Sequence, residues 1–273
     1  MLQFSIDEEK CIQCGECAAD CPRSIIELEP EYPRIVPGKE DNCIQCQHCL
    51  AICPTEALSI LGVDPDKCPS LDAIPSPDQM EALVRGRRST RRYKQENVDP
   101  DTVNWLMDML AHAPTGVNNR RLLFTLVDDV KTMDTIRKEA FEGIRAKVQS
   151  EGLPERYAVF EQFLAVWDKG MDVPFRGAPH MLIVSSPDDS PCPEADPYIA
   201  LSYFELCAAA KGLGTVWCGL GKYALFDIVP ELGSKLGVPE DHKSVYVMLF
   251  GNPDLEYHRG VQRENTAVNR VKM

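Results

Sequence analysis

Eight cysteines near the start of the chain form two runs with identical spacing. The runs are CIQCGECAADCP and CIQCQHCLAICP, and both read C-x2-C-x2-C-x3-C-P. Three thiolates on one tight loop can occupy three corners of an iron–sulfur cubane, while the fourth, after a turn, points away. The repeat therefore indicates an internal duplication that binds two [4Fe-4S] clusters and transfers single electrons.

Structural zinc is the alternative, since C-x2-C pairs also form zinc sites. Zinc needs two such pairs for one tetrahedral site, whereas each run has a triplet followed by a Cys-Pro pair. A [3Fe-4S] cluster at one site also stays open, although no ligand position is missing. For His48, inside the second run, we expect a place beside the ligands or facing solvent.

The spacing and the duplication resemble those of the bacterial two-cluster ferredoxins. In that family the fourth cysteine of each run binds the other cluster. The resemblance therefore implies that the two runs exchange their last cysteines, which ties the two halves of a small domain together. The implied ligand sets are Cys11, Cys14, Cys17 and Cys53 for one cluster, and Cys21, Cys43, Cys46 and Cys49 for the other.

The composition is that of a globular protein with two domains. The chain has 273 residues, 44% of them hydrophobic, and a net charge of −13, which argues against general nucleic-acid binding. No apolar run is long enough for a membrane span, and the acidic N-terminus is unlike a signal peptide, so we expect a cytoplasmic protein. We expect a ferredoxin-like domain over 1–62, a stiff proline-rich linker over 63–79, and a second domain over 80–273.

Residues 1–62 hold eleven acids against four bases, so their net charge is −7 before any cluster is counted. Negative charge disfavours the addition of electrons, and we therefore expect low reduction potentials. A solvated acidic surface that serves only solubility is the alternative.

The second domain alternates helical and strand-like patterns, which predicts an α+β sandwich. Apolar runs at 122–128, 180–186 and 244–251 predict strands. Residues 80–87 read as the start of a helix, 99–113 as an amphipathic helix capped by Asp99, and 196–214 as a long helix that ends at glycine.

The segment RGRRSTRRYK packs six bases into ten residues. A nucleic-acid patch is one interpretation, and a phosphate site is the other, since arginine binds phosphate in a bidentate manner. A single basic cluster in an acidic chain favours a small anionic ligand over a polymer.

Four segments in order resemble motifs of the FMN-dependent nitroreductase family. They are RRSTRRY, HAPTGVNNR, GLGTVWCGL and GNPDLEYHRGVQRE, and together they span roughly residues 80–265. Any one would be weak support, but the four occur in the order and at the separations found in the family. The resemblance implies a mostly antiparallel central sheet flanked by helices, bound FMN and an intertwined homodimer.

The same resemblance implies the flavin contacts. The phosphate and ribityl chain would meet Arg87, Arg88 and Ser89, with Arg91 near the pyrimidine edge, where a cation stabilises reduced flavin. Two further segments would contact the ring. The C-terminal bases would contact the phosphate, and Arg263 is the favoured one. These implied residues are Pro114, Thr115 and Asn118, Trp217, Cys218 and Gly219, and Arg259 and Arg263.

The chain departs from the family after the Asn loop, where Arg120 stands in place of glutamine and is followed by Arg121. We expect Cys218 and Cys207 to be buried apolar residues without redox chemistry, Cys68 to be a free thiol, and His112 and His180 to be structural. No GxGxxG motif follows a strand, so no Rossmann nicotinamide site is indicated.

Apolar residues recur at helical spacing over 129–149 and 154–170. Helix packing or a dimer contact is the favoured interpretation, and a lid that selects substrate is the alternative.

The combined pattern predicts a flavin oxidoreductase that is fed by iron–sulfur clusters. Clusters carry one electron at a time, whereas organic reductions need two, so pairing clusters with FMN has a chemical purpose. We expect an external low-potential donor such as a ferredoxin, and a nitroaromatic, quinone or activated-alkene acceptor. The alternatives are an electron-transfer or redox-sensing module without a substrate, and a flavin dehydrogenase that exports electrons through the clusters.

Overall fold

The computed structural model describes residues 2–28, 30–264 and 266–273. The chain forms two compact units. The first consists of Met1–Ile74 with Val117–Asn119, and the second of Pro75–Gly116 with Arg120–Met273.

The first unit contains two antiparallel pairs of short strands. β1 (Phe4–Ile6) pairs with β4 (Leu58–Ile60), and β2 (Ile26–Leu28) pairs with β3 (Pro33–Ile35). One-turn helices α1 (Glu16–Ala19) and α2 (His48–Ala51) lie inside the two cysteine runs, and 3₁₀ turns cover Glu40–Asn42 and Pro65–Lys67. The small core consists of Cys17, Ile25, Ile26, Cys49, Leu50, Leu58 and Ile60.

The second unit is built on a four-stranded antiparallel sheet. Its strands are β5 (Leu123–Val127), β6 (His180–Ser186), β7 (Gly214–Trp217) and β8 (Ser244–Gly251), in the order β5-β6-β8-β7. The helices are α3 (Pro77–Gly86), α4 (Pro100–Leu110), α5 (Val130–Ser150), α6 (Val159–Trp167), α7 (Ala195–Ala210), α8 (Gly219–Lys222) and α9 (Pro230–Lys235). A π-helical turn spans Tyr223–Ile228, and a 3₁₀ turn spans Glu155–Tyr157.

Side chains of β6 and β8 alternate between two buried faces, as the two-residue period of a strand requires. Ile183 and Leu249 share one core with α5 and α6, whereas Val184 and Phe250 share the other with α4 and α7. The unit is therefore a sheet covered by helices on both sides. The predicted α+β sandwich with a mostly antiparallel sheet is confirmed.

The local predictions agree with most elements, including the Asp99 cap, whose side chain accepts a hydrogen bond from the Thr102 N–H. The predicted start of one helix was wrong. Helix α3 begins at Pro77, within the segment expected to be an extended linker. Ser76 and Gln79 form a capping box around Pro77 at the first helical position, which starts the helix early.

The helices α5 and α6 bury their apolar faces in their own unit. Met133, Ile136, Ala140 and Ile144 are buried together with Phe160, and Phe141 stacks on Trp167 at 4.1 Å between ring centroids. This burial is what the helix-packing interpretation expects. Among the described residues, no helix is both long and apolar enough to cross a membrane.

Candidate functional site

The two cysteine runs fold into matching loops. In each run the residue before the second cysteine and the residue after it have positive φ: Gln13 (54°) and Gly15 (77°), and Gln45 (56°) and Gln47 (60°). The third residue after each last cysteine does so too. Left-handed residues in such loops turn successive backbone N–H groups inward, which favours an anionic ligand.

The thiols line two separate cavities, each of which takes three cysteines from one run and the last cysteine of the other. One cavity is lined by Cys11, Cys14, Cys17 and Cys53, and the other by Cys21, Cys43, Cys46 and Cys49. The described residues hold no group of three or more His, Cys, Asp or Glu side chains arranged around a single metal ion. This grouping is the one that the resemblance to two-cluster ferredoxins implies.

Backbone N–H groups reach the thiol sulfurs. The Ala57 N–H donates to Cys53 Sγ at 3.2 Å, and the Gln45 N–H donates to Cys43 Sγ at 3.4 Å. Hydrogen bonds of this kind raise the potential of a cluster and oppose the effect of the acidic surface. His48 is exposed and contacts Asp20 (Nδ1 to Oδ2, 3.2 Å), and it also lines the cavity of Cys21, Cys43, Cys46 and Cys49.

In the second unit the basic segment lies against β7 and the C-terminal motif. The Thr90 N–H donates to the Thr215 carbonyl at 2.8 Å, and Ser89 forms a bridge with Thr215. Tyr93 pairs with Pro253, and a Cβ added at Gly260 would lie 3.3 Å from the Arg85 carbonyl oxygen. Three segments that are far apart in sequence therefore meet here.

A cavity of about 350 Å³ opens where these segments meet, within the usual size range of ligand sites. It is lined by Arg87, Arg88, Thr90, Gly214 and Thr215, and by one acid, Glu256. The Nε of Arg88 is buried and has no hydrogen-bond partner among the described residues. Its Nη2 donates to the Arg85 carbonyl at 3.2 Å. An arginine that lines a cavity and has an unsatisfied N–H fits an anionic group such as a phosphate.

Arg87 lies at the same cavity but already has a partner. Its Nη1 donates to Glu205 Oε1 at 2.7 Å, and Glu205 is buried in α7. The remaining predicted bases are exposed: Arg91 donates to the Ser89 carbonyl at 3.4 Å, whereas Arg259 and Arg263 lie on the segment after β8.

Glycine is required at position 214. A Cβ there would lie 2.5–2.6 Å from three side-chain atoms of Thr90, so the close approach of the basic segment to β7 excludes any larger residue.

The loop predicted to contact the flavin ring is divided between the units. Pro114 is exposed, and Thr115 Oγ1 accepts a hydrogen bond from the Arg120 N–H at 3.0 Å. Asn118 belongs to the first unit, where its Nδ2 donates to the Ile44 carbonyl at 2.7 Å.

Around Gly219 the structure places an aromatic group that the sequence did not reveal. Trp217 stacks on Tyr198 at 6.0 Å, and both rings contact Tyr246. A Cβ at Gly219 would lie 3.4 Å from the Tyr246 hydroxyl. Burial raises the pKa of Tyr246, so this hydroxyl keeps its proton at neutral pH.

Cys218 is buried and structural. Its thiol donates to the Pro174 carbonyl at 3.1 Å, and burial raises its pKa to about 12. Cys207 is half-buried against the α4–α7 core, and Cys68 is an exposed free thiol.

Of the two histidines expected to be structural, His180 is fully buried and accepts a hydrogen bond from the Val98 N–H at 2.9 Å, whereas His112 is exposed. The turn after α4 leaves His112 in solvent, and its structural role stays a prediction.

Sequence comparison assigns the class. Residues 84–252 match the nitroreductase family, and residues 4–60 match the 4Fe-4S dicluster domain. The chain belongs to the nitroreductase family, whose members are FMN-dependent oxidoreductases, and it carries a ferredoxin domain of the 4Fe-4S dicluster type at its N-terminus.

Individual relatives cover the second unit. Iodotyrosine deiodinase of Thermotoga neapolitana is 26% identical over 179 residues, which is 63% of this chain and 87% of that protein. Its likeness is to the nitroreductase-type part.

Solved structures show the same fold. An FMN-bound nitroreductase from Bacteroides fragilis is 20% identical with a TM-score of 0.53, covering 70% of this chain and 99% of that one. An FMN-bound nitroreductase from Desulfitobacterium hafniense is 19% identical with a TM-score of 0.53, covering 69% and 97%. An iodotyrosine deiodinase bound to FMN and 3-iodo-L-tyrosine is 22% identical with a TM-score of 0.50, covering 71% and 100%.

Proposed function

We propose that this oxidoreductase takes single electrons into two [4Fe-4S] clusters and uses bound FMN to reduce a small organic acceptor. The observation that carries the proposal is the presence, in one chain, of two four-cysteine cavities and a separate cavity lined by Arg88, whose Nε has no hydrogen-bond partner among the described residues.

The cluster half is supported by the grouping of the thiols. We assign one cluster to the cavity that contains Cys53 and the other to the cavity that contains Cys21. The positive-φ loops and the N–H groups that reach sulfur suit an anionic cluster bound by thiolates.

The flavin half is supported by the chemistry of the second unit. Arg88 would hold the FMN phosphate, with Ser89 and Thr90 beside it, and Gly214 allows the basic segment to approach β7. Arg91 would stand near the pyrimidine edge of the ring, and Gly219 would let the backbone come close to it. When bound, FMN supplies chemistry that accepts electrons singly and releases them in pairs.

For the acceptor we propose an aromatic or conjugated compound. Trp217, Tyr198 and Tyr246 form an aromatic surface beside Gly219, which suits a flat ring. Nitroaromatics, quinones and activated alkenes remain the expected classes. The match to iodotyrosine deiodinase adds halogenated phenols as a second candidate class.

We further propose a homodimer in the cytoplasm that receives electrons from an external low-potential carrier such as a ferredoxin. The solvent side of α7 carries Tyr198 and Tyr203, which are 48% and 42% exposed on an apolar helix and would suit a partner subunit. Light scattering of the purified protein measures the oligomeric state directly.

The test is anaerobic purification of the wild type and two arginine variants. We expect about eight iron atoms and one FMN per chain in the wild type. Arg88→Ala should lose FMN and keep its iron, because the phosphate loses a bidentate donor.

The matched control is Arg92→Ala, which removes an exposed arginine of the same segment that does not line the cavity. It should retain FMN. A colourless wild-type protein, or equal FMN in both variants, would contradict the proposal.

A further inference from the structure

The loop from Thr115 to Arg120 has an unusual backbone. Val117, Asn118 and Arg120 all have positive φ, at 47°, 55° and 50°, although none is glycine. A β-branched residue in this region is a genuine outlier. Such conformations persist only where the surrounding structure enforces them, and they cluster at functional sites.

One buried carboxylate holds the start of this loop. The Gly116 N–H donates to both oxygens of Asp196, at 3.0 Å and 3.3 Å. A Cβ on Gly116 would lie 2.7 Å from Cys192 Sγ, and the Asp196 N–H donates to the Cys192 carbonyl at 3.1 Å. The turn from Cys192 to Asp196 therefore packs closely against Gly116, and Gly116 has no room to move towards this turn.

The burial of Asp196 distinguishes it from an ordinary acid at the start of a helix. Acids in a first helical turn interact with the helix dipole from the surface, but Asp196 is only 1% exposed. Burying a carboxylate costs free energy unless its hydrogen bonds are satisfied. An acid on the surface would give α7 the same dipole interaction without this desolvation cost.

The same turn of α7 also contacts the other predicted flavin segment. Tyr198, two residues after Asp196, stacks on Trp217 at the end of β7. The first turn of α7 thus contacts Gly116 through Asp196 and Trp217 through Tyr198.

We infer that Asp196 is a positioning residue for the flavin. Through its bonds to the Gly116 N–H, it fixes Gly116 and the adjoining Thr115 against the first turn of α7, so that these two residues lie correctly along the ring. The inference rests on the proposed FMN site and deepens it.

The test compares FMN binding in three variants reconstituted from the flavin-free full chain with its clusters intact. Asp196→Ala removes the acceptor, whereas Asp196→Asn keeps one oxygen for Gly116. We expect the Kd for FMN to rise about tenfold in Asp196→Asn, which corresponds to about 1.4 kcal/mol, and further in Asp196→Ala. Asp99→Asn, a carboxylate that caps α4 through a backbone N–H, is the control and should leave the Kd unchanged.

The midpoint potential of the flavin separates positioning from simple destabilisation. We expect it to shift in both Asp196 variants and kcat to fall with it, since the loop no longer lies in its place along the ring. A lower melting temperature with unchanged Kd and potential would overturn the inference.

If Asp196→Ala does not fold, Asp196→Asn and Gly116→Ala carry the test, the latter because its Cβ would meet Cys192 Sγ and push Gly116 away from the turn that carries Asp196. Wild-type protein that binds no FMN would instead refute the proposed function itself.

Discussion

Removing Arg87 should destabilise the second unit more than it weakens FMN binding. The guanidinium of Arg87 and the carboxylate of Glu205 are 2.7 Å apart, and the Glu205 side chain is only 10% exposed. In Arg87→Ala the carboxylate is left buried without its cation. Breaking a fully buried pair costs about 3–5 kcal/mol, and the 28% exposure of Arg87 reduces this to about 2 kcal/mol.

The loss of stability should appear as a lower melting temperature of the second unit. For a domain of this size about 2 kcal/mol corresponds to a decrease of about 4–8 °C. The double variant Arg87→Ala/Glu205→Gln should recover most of the lost stability, because the neutral amide leaves no unpaired charge buried in the unit. The assay is thermal unfolding followed by circular dichroism, with FMN affinity measured by fluorescence on the same samples.

The double variant also decides the role of Arg87 in the cavity. If Arg87 is mainly the partner of Glu205, the double variant should retain FMN, and Arg88→Ala should lose it. An Arg87→Ala protein with wild-type stability and more than hundredfold weaker FMN binding, not rescued by Glu205→Gln, would refute the reasoning.

Three further outcomes follow from the structure. Cys53→Ala should abolish the EPR signal of reduced protein that Cys14→Ala also abolishes, and it should retain the signal that is lost in Cys46→Ala. If Cys53→Ala instead loses the signal that Cys46→Ala loses, each run binds its own cluster. Iodoacetamide at pH 8 should label the exposed thiols outside the runs and leave Cys218 unlabelled in native protein, because burial raises its pKa to about 12 and keeps it protonated; mass spectrometry reads the result. Burial lowers the pKa of His180 below its ordinary 6.5, so the unfolded state binds the proton more readily and stability should fall as the pH drops below 6.5, by at most about 1.4 kcal/mol per pH unit. Denaturant unfolding of the wild type and of His180→Gln as a function of pH measures this slope. An equal slope in the two proteins would contradict the prediction.

Local patterns in the sequence were enough to predict the parts of the molecule that depend on short-range spacing. The duplicated runs predicted two groups of thiols, and the β6 and β8 runs of apolar residues predicted the sheet, because each signal lies within a few neighbouring residues. The flavin motifs were recognised by their resemblance to the family, because residue spacing alone does not identify them.

What the sequence missed depends on partners that are far apart. Glu205 lies 118 residues from Arg87, and Asp196 lies 80 residues from Gly116. A weak signal was present for Glu205: it falls on the buried face of α7 with Leu201 and Ala208, where an acid needs a partner. Nothing local identified Asn118 as a partner of Ile44, because that bond depends on how a strained loop folds.

The most direct test of the central claim is anaerobic turnover of the purified holoprotein with chemically reduced ferredoxin and a nitroaromatic, quinone or halogenated phenol acceptor. We predict that ferredoxin is oxidised only when acceptor is present, and that the rate is lost in Cys14→Ala and Cys46→Ala variants that retain FMN. NADH-driven turnover at equal rate in the wild type and in these cluster-deficient variants would contradict it.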